Sequence, residues 1–101
     1  MKILAISLEY VRVLVSASID GATVDPTNDA VRFAFKTGGQ QPSSGDFLAG
    51  SWEVIGGVPY ARILVGPGGT IQLAAGRYDV YLKITDNPEV PVRLAGPLTV
   101  S

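Results

Sequence analysis

Carboxylates are the side chains in this sequence best suited to metal binding or proton transfer. The chain has nine acidic residues, but it contains no histidine and no cysteine. These absences exclude Ser-His-Asp and Cys-His catalytic arrangements and the usual zinc sites, because each of these needs an imidazole or a thiolate. Two chemistries remain for the carboxylates: calcium binding by oxygen ligands and glycoside hydrolysis by a carboxylate pair.

Two short loops carry closely spaced acidic groups. Asp25 and Asp29 flank the first loop, and Asp86 and Glu89 surround Asn87 in the second. The first loop lacks the ligand spacing and the glycine of an EF-hand, and aspartate and asparagine commonly stabilise turns through local backbone hydrogen bonds. A domain of this length also has little room for the deep cleft of a glycosidase. We therefore predict no catalytic residue, no metal site and no cofactor.

Alternation of apolar and polar side chains dominates the chain and predicts β-strands. We predict strands at approximately residues 3–7, 10–18, 30–37, 51–55, 60–66, 70–73, 77–85, 92–94 and 97–100, some joined through a bulge, and at most one helical turn, at 46–51. Gly56-Gly57 predicts a hairpin between two of these strands. About seven or eight short strands at this spacing predict one all-β domain over residues 1–101, an immunoglobulin-like antiparallel β-sandwich.

The segment from Leu73 to Val80 has the spacing of a tyrosine corner. A leucine is followed by Gly76 and then by Tyr78, at the start of the most regularly alternating strand. In this motif the tyrosine hydroxyl bonds the backbone a few residues upstream and fixes the corner between the sheets. We expect Tyr78 Oη to bond near Leu73 or Ala74. The alternative is a core aromatic side chain whose hydroxyl lies at the rim.

Aromatic and apolar residues at outward positions predict a surface that contacts partners. If Val11 and Val13 face the core, Tyr10 and Leu14 face outward. If Val80 faces the core, Tyr81 faces outward. The candidate interface residues are Tyr10, Leu14, Trp52, Tyr60, Tyr81, Asp86, Asn87 and Glu89. The last three are included because loops on a rigid scaffold often carry function. Trp52 is either the core tryptophan of such sandwiches or an interface anchor.

Residues 1–8 also have two interpretations. The apolar run Ile3–Leu8 contains a serine, ends at Glu9 and is shorter than the roughly 7–15 residues of a secretory h-region, so we expect no signal peptide. The segment is either an arm that adds a strand to a neighbouring protein or an edge strand of its own sandwich.

The charge pattern limits the partners. Charged residues make up 17% of the chain, and the formal net charge is −1. A surface with so few charges suits a protein that is packed against other proteins. The eight basic residues are scattered, which predicts no nucleic-acid binding, and no apolar run approaches the roughly 18 residues of a membrane span. The absence of cysteine favours synthesis in a reducing cytoplasm.

Several short motifs are distributed along nearly the whole chain. They are YVRV at 10–13, DPT at 25–27, VRFAF at 31–35, GSWE at 50–53, AR at 61–62, VGPGG at 65–69, LAAGRYDV at 73–80 and TDNPEVPV at 85–92. Together they resemble small proteins encoded among the structural genes of tailed actinobacterial phages, and more broadly the immunoglobulin-like domains of phage particles. The resemblance implies a virion protein, made in the host cytoplasm and present in several copies or as a homo-oligomer, whose partners are other virion proteins.

Two functions are compatible with this resemblance. The first is a structural protein of the phage head or head–tail neck, either a capsid decoration or a component of a connector ring. The alternative is a tail or baseplate module that binds carbohydrate or a host-surface receptor, with Tyr10, Trp52, Tyr60 or Tyr81 as stacking platforms. No catalytic residue is carried over from the family, and we expect no enzyme activity.

Overall fold

The computed structural model describes residues 1–15, 18–19, 22–23, 27, 29–85, 90 and 92–101. Ten strands follow one another in this part of the chain: β1 (Lys2–Ile3), β2 (Glu9–Leu14), β3 (Ser18–Ile19), β4 (Ala22–Thr23), β5 (Ala30–Lys36), β6 (Leu48–Ala49), β7 (Ser51–Ile55), β8 (Val58–Val65), β9 (Gly76–Thr85) and β10 (Val92–Val100). A 3₁₀ turn, Ser44–Asp46, precedes β6. Among the described residues, no helix is long and apolar enough to cross a bilayer.

Two sheets stack to form the domain. One has the strand order β1-β10-β9-β5-β6, the other has the order β2-β8-β7, and β3 and β4 form a separate two-stranded pair. Strands β10-β9-β5-β6 match the G-F-C-C′ strands of an immunoglobulin sandwich, strands β2-β8-β7 match the B-E-D strands, and β1 is an additional edge strand. This order confirms the predicted fold class. One pairing differs from the antiparallel expectation, since β1 runs parallel to β10.

The core lies between the two sheets and is apolar throughout the described residues. The largest fully buried side chains are Phe33, Ile63, Val65, Val80 and Leu98. Phe33 and Val80 come from neighbouring strands of the five-stranded sheet, and Ile63 and Val65 come from the centre of the three-stranded sheet. The alternation that predicted these strands therefore corresponds to one buried face on each sheet.

The predicted hairpin at Gly56-Gly57 is confirmed. Ile55 pairs with Val58, and both glycines have positive φ angles, 58° and 80°. Positive φ at both central residues is the requirement of a type I′ turn, which matches the twist of the flanking strands.

The tyrosine corner has the predicted hydrogen bond. Tyr78 Oη donates to the carbonyl oxygen of Ala74 at 2.8 Å. Leu73 is buried in the core, and Gly76 begins β9. This hydrogen bond thus joins β9 to the connection that leads into it from the three-stranded sheet.

Three predicted strands are much shorter in the structure. The first, expected at 3–7, is only Lys2–Ile3, because the chain turns at residues 5–6. The strand expected at 10–18 ends at Leu14, because Val15 N donates to Pro59 O at 3.2 Å but proline has no N–H to donate in return. The strand expected at 70–73 is only a bridge between Ile71 and Val65. There Thr70 N donates to Leu64 O at 2.8 Å, so the chain curls around the end of β8 instead of extending along it.

The helical turn expected at 46–51 lies earlier in the chain. Asp46 Oδ2 accepts hydrogen bonds from Ser43 N at 2.8 Å and from Ser43 Oγ at 3.0 Å, which closes the turn at 44–46. Residues 48–49 instead pair with β5 as β6. At the end of the chain, the segments predicted at 92–94 and 97–100 are one strand, β10, with an irregular register between Leu94 and Gly96.

The N-terminal segment forms an edge strand of its own sandwich. Thr99 N donates to Met1 O, Ser101 N donates to Ile3 O, and Ala5 N donates to Ser101 O, at 2.7–3.0 Å. Ile3 is buried in the core. After β1 the chain crosses from the five-stranded sheet to the three-stranded sheet, where β2 begins.

Candidate functional site

The outer face of the three-stranded sheet brings together several residues that the sequence predicted at an interface. The register places the outward positions in rows: Tyr10 beside Leu64; Arg12 beside Arg62 and Ser51; Leu14 beside Tyr60 and Glu53; and Val58 beside Ile55. We call this surface the three-stranded face. It has a charged centre and apolar ends.

Glu53 is the centre of the charged cluster. Its Oε2 atom lies 2.9 Å from Arg12 Nε and 2.9 Å from Arg62 Nη1. Arg62 Nε also donates to Ser51 Oγ at 3.1 Å. Because Arg12, Arg62 and Glu53 lie on β2, β8 and β7, one carboxylate links all three strands of the sheet.

The two arginines hold the pKa of the Glu53 carboxyl below its ordinary value of 4.5. The hydrogen bond from Arg12 is the main cause, and Arg62 adds to it, while partial desolvation acts in the opposite direction. The carboxylate therefore stays ionised at any pH near neutrality, and the cluster carries one net positive charge.

Tyr10 lies under the arginines. The guanidinium carbon of Arg62 is 4.3 Å from the centre of the Tyr10 ring, and that of Arg12 is 5.5 Å from it. Both distances are within the range of cation–π attraction. Tyr10 is half-buried as a result, and part of its ring is already occupied by the protein's own side chains.

The outer face of the five-stranded sheet holds Tyr81, another of the predicted interface residues. Tyr81 is half-buried there, beside the exposed Leu94 of β10. Lys83 lies opposite Arg32, and its Nζ atom is 5.1 Å from the centre of the Phe47 ring. Tyr81 is therefore on the far side of the molecule from Tyr10, so the predicted interface residues do not form one surface.

Trp52 points inward and packs against the core. Its Nε1 atom donates to the carbonyl oxygen of Asp29 at 2.8 Å, so its one polar atom is satisfied within the domain. These contacts favour the core alternative for this residue. Asp86, Asn87 and Glu89, the three loop residues predicted at the interface, lie outside the described residues.

The connection between β1 and β2 exposes an apolar segment within residues 1–8, which the sequence analysis interpreted either as an arm or as an edge strand. The exposed fractions of Leu4, Ile6 and Leu8 are 55%, 86% and 52%. The backbone here is close to β8, since a Cβ atom on Gly66 would overlap the carbonyl oxygen of Ser7. The side chains are therefore displayed on a well-supported turn.

The charged cluster is the feature that sequence reasoning missed. Alternation placed Arg12 at an outward position, and the same pattern held for Arg62 and Glu53 in their own strands. The predicted hairpin made β7 and β8 neighbours, but nothing in the sequence indicated that β2 joins them, because β2 pairs with β8 about 50 residues further along the chain. The outward direction of each side chain could be predicted from its own strand, but the pairing of β2 with β8 could not.

Two shallow depressions accompany these surfaces. One, of about 230 Å³, is lined by Tyr10, Ser51 and Arg62 among others, and one of about 310 Å³ lies between the Gly38-Gly39 turn and the side chains of Arg77 and Asp79. Within the described residues, no three acidic side chains converge as metal ligands would. The absence of an enzyme activity stays a prediction.

Comparison with known proteins adds no further assignment. No protein-family model matches this chain, and no significantly similar protein was found among curated proteins or among solved structures. The similarity to phage structural proteins accordingly stays a hypothesis drawn from the sequence motifs, and the chain is assigned to the immunoglobulin-like β-sandwich fold without a family.

Proposed function

We propose that this domain is a multi-copy structural protein of a tailed phage particle, located in the head or the head–tail neck, where it binds other virion proteins. The virion assignment rests on the sequence motifs. The role as a protein-contact module rests on the surface of the domain.

One observation carries the contact role: the exposed apolar segment Leu4–Leu8. Its three aliphatic side chains are each more than half exposed, on a turn held against β8. Burial of a large aliphatic side chain contributes about 1.5–3 kcal/mol, so an exposed group of them is costly unless a partner covers it. A partner protein with an apolar pocket is the occupant that this chemistry fits.

The carbohydrate-binding alternative has less support. Stacking on a sugar needs an open aromatic ring, and Tyr10, Trp52, Tyr60 and Tyr81 are all half-buried. The ring of Tyr10 is in contact with Arg62, and Trp52 packs against the core. No described contact favours a glycan, and we do not propose this function.

Quantitative mass spectrometry of purified particles of a phage that encodes this chain tests the proposal. A capsid decoration would be present in on the order of hundreds of copies, and a closed neck ring in roughly a dozen or fewer. Particles that contain none of the protein would overturn the virion assignment.

A variant tests the contact role separately. We expect Ile6→Ser to reduce incorporation into particles by about tenfold, because burial of this side chain is worth about 1.5–3 kcal/mol. Gln41→Ser, at an exposed polar position, is the control and should be incorporated like the wild type. Equal incorporation of both variants would show that the Leu4–Leu8 segment is not the contact surface.

A further inference from the structure

β2 is an edge strand with no described partner along its whole outer side. β10 also extends beyond β1, which pairs only with Thr99 and Val100, but this free part of β10 contains Pro97 and an irregular register between Leu94 and Gly96, and both features protect an edge. The edge strands β1 and β6 have only two residues each. β7 is also an edge strand, with five residues, and the residue just before it still pairs with the five-stranded sheet, since Gly50 N donates to Val31 O at 2.9 Å. β2 has six residues, pairs with β8 on one side, and has no described strand on the other. It contains no proline or lysine, and of its two charged residues, Glu9 and Arg12, the second is bound to Glu53 of its own sheet.

The direction of the free backbone groups follows from one hydrogen bond. Val15 N donates to Pro59 O, so the odd-numbered residues of β2 direct their backbone groups towards β8. Alternate residues of an antiparallel strand direct these groups to opposite sides. The N–H and C=O groups of Tyr10, Arg12 and Leu14 therefore point to the free edge, where another strand could bond to them.

The side chains along this edge are self-complementary. Leu14 is 59% exposed on the three-stranded face, and Leu8, two residues before Tyr10, is also more than half exposed. In a symmetric antiparallel pair centred on Arg12, two guanidinium groups would lie opposite each other, which is unfavourable. In a pair centred on Val11, Tyr10 lies opposite the second copy's Arg12, and Leu8 lies opposite the second copy's Leu14.

We propose that this chain forms a symmetric dimer in which β2 pairs antiparallel with β2 of a second copy, centred on Val11. The pairing joins the two three-stranded sheets into one sheet and covers Leu8 and Leu14 in both copies. The formal net charge of −1 leaves little repulsion between the copies. The inference goes beyond the proposed function, because it concerns the isolated chain and holds whether or not the protein is part of a virion.

The dimer is expected to be weak. A short strand pair buries less surface than the roughly 1,200 Å² of the smallest standard interfaces, so a dissociation constant on the order of 100 µM is expected. Such an interface is populated at the high local concentration of an assembly and is measurable in concentrated solution.

Sedimentation equilibrium over a concentration series up to about 1 mM tests the proposal with matched variants. Leu14→Lys places a charge opposite Leu8 of the second copy and should weaken the dimer at least about tenfold. Leu94→Lys makes the same change at a residue that is 60% exposed on the opposite sheet, and it should leave the dimer unchanged. A wild-type chain that stays monomeric, or equal dimerisation by both variants, would overturn the proposal.

Amide hydrogen exchange of the wild-type protein provides a second test that needs no variant. The amides of Val11 and Val13 are paired with β8, so they should be protected at every concentration. The amides of Tyr10 and Arg12 should gain protection only as the dimer forms. If they exchange equally fast in monomer and dimer, the dimer uses another surface.

The register can be tested by charge pairing. In the double variant Leu8→Glu with Leu14→Lys, each new lysine lies opposite a new glutamate in the pair centred on Val11. Dimerisation should recover relative to Leu14→Lys alone, and the recovery should decrease with added salt. A double variant that associates no better than Leu14→Lys would contradict this register.

Discussion

Tyr78 shows how a single hydroxyl group can hold a connection between two sheets. Its bond to the Ala74 carbonyl oxygen closes the turn that leads into β9, directly after Leu73 enters the core. Because the leucine, the glycine and the tyrosine are close in sequence, their spacing was sufficient to predict this contact. The bond itself is near the surface, so its energetic contribution is that of an ordinary hydrogen bond.

We expect Tyr78→Phe to lower the free energy of unfolding by about 1 kcal/mol, the usual net value of one intramolecular hydrogen bond. The measurement is urea denaturation at neutral pH. Tyr81→Phe is the matched control, since the Tyr81 hydroxyl has no hydrogen bond within the described structure, and its stability should match that of the wild type. Equal effects of the two variants would show that the corner bond contributes nothing specific.

Gly66 illustrates a requirement that acts through the backbone. Its φ angle is 133°, and a Cβ atom there would overlap the carbonyl oxygen of Ser7. Only glycine combines this conformation with such a close approach. The residue therefore allows the β1–β2 connection to pass close to the end of β8, which is what supports the exposed Leu4–Leu8 segment.

At the scale of the elements, the three-stranded sheet has an ion-pair cluster on its outer face and apolar packing on its inner face. Glu53 on β7 bonds Arg62 on β8 and Arg12 on β2. Solvent-exposed ion pairs contribute little individually, but this carboxylate also links β7 to β2, which is not its hydrogen-bonded neighbour. The cluster therefore orders the three-stranded face that the proposed dimer would extend.

The pH dependence of stability tests this cluster. The pKa of Glu53 is lowered in the folded state, so its contribution is present above the ordinary value of 4.5 and is lost as the pH falls through the lower folded value. We expect Glu53→Gln to be less stable than the wild type at neutral pH, with the difference shrinking below pH 4.5. Denaturation midpoints measured over this range provide the comparison.

Glu9→Gln is the control for this experiment. Glu9 is an exposed residue of the same sheet, and its carboxylate has no ion pair among the described residues. Its replacement should leave the stability at neutral pH unchanged. If the difference between wild type and Glu53→Gln stays constant down to pH values well below 4.5, the arginines do not stabilise the ionised form of Glu53.

At the scale of the whole molecule, the N-terminal segment connects the two sheets of the sandwich. β1 pairs with β10 in the five-stranded sheet, and the chain then crosses to β2 in the other sheet. Ile3 enters the core, whereas Ile6, three residues later, is almost fully exposed. The segment thus has an internal part that belongs to the fold and an external part that is available to a partner.

These two isoleucines provide a direct comparison. Ile3→Ala should lower the free energy of unfolding by about 2–4 kcal/mol, because it leaves a cavity in the core. Ile6→Ala should change it by less than about 0.5 kcal/mol. Thermal or urea denaturation of both variants measures the difference. A small effect of Ile3→Ala would mean that residues 1–5 do not contribute to the stability of the sandwich.

The sequence alone determined the features that depend on neighbours along the chain. Two-residue alternation indicated the strands and their buried faces, Gly56-Gly57 indicated the hairpin, and the Leu73–Tyr78 spacing indicated the corner. Each of these is a local property, since side-chain direction, turn type and a short-range hydrogen bond depend on a few consecutive residues.

Apart from the hairpin at Gly56-Gly57, only the tertiary structure decided which strands are neighbours. Glu53 meets Arg12 because β8 lies between their strands, Tyr81 and Tyr10 lie on opposite outer faces, and β1 pairs in parallel with β10. Alternation is the same for a strand at an edge and for one at the centre of a sheet, so it cannot indicate the pairing. The free edge of β2 and the exposure of Ile6 follow from these long-range contacts, which the local pattern does not contain.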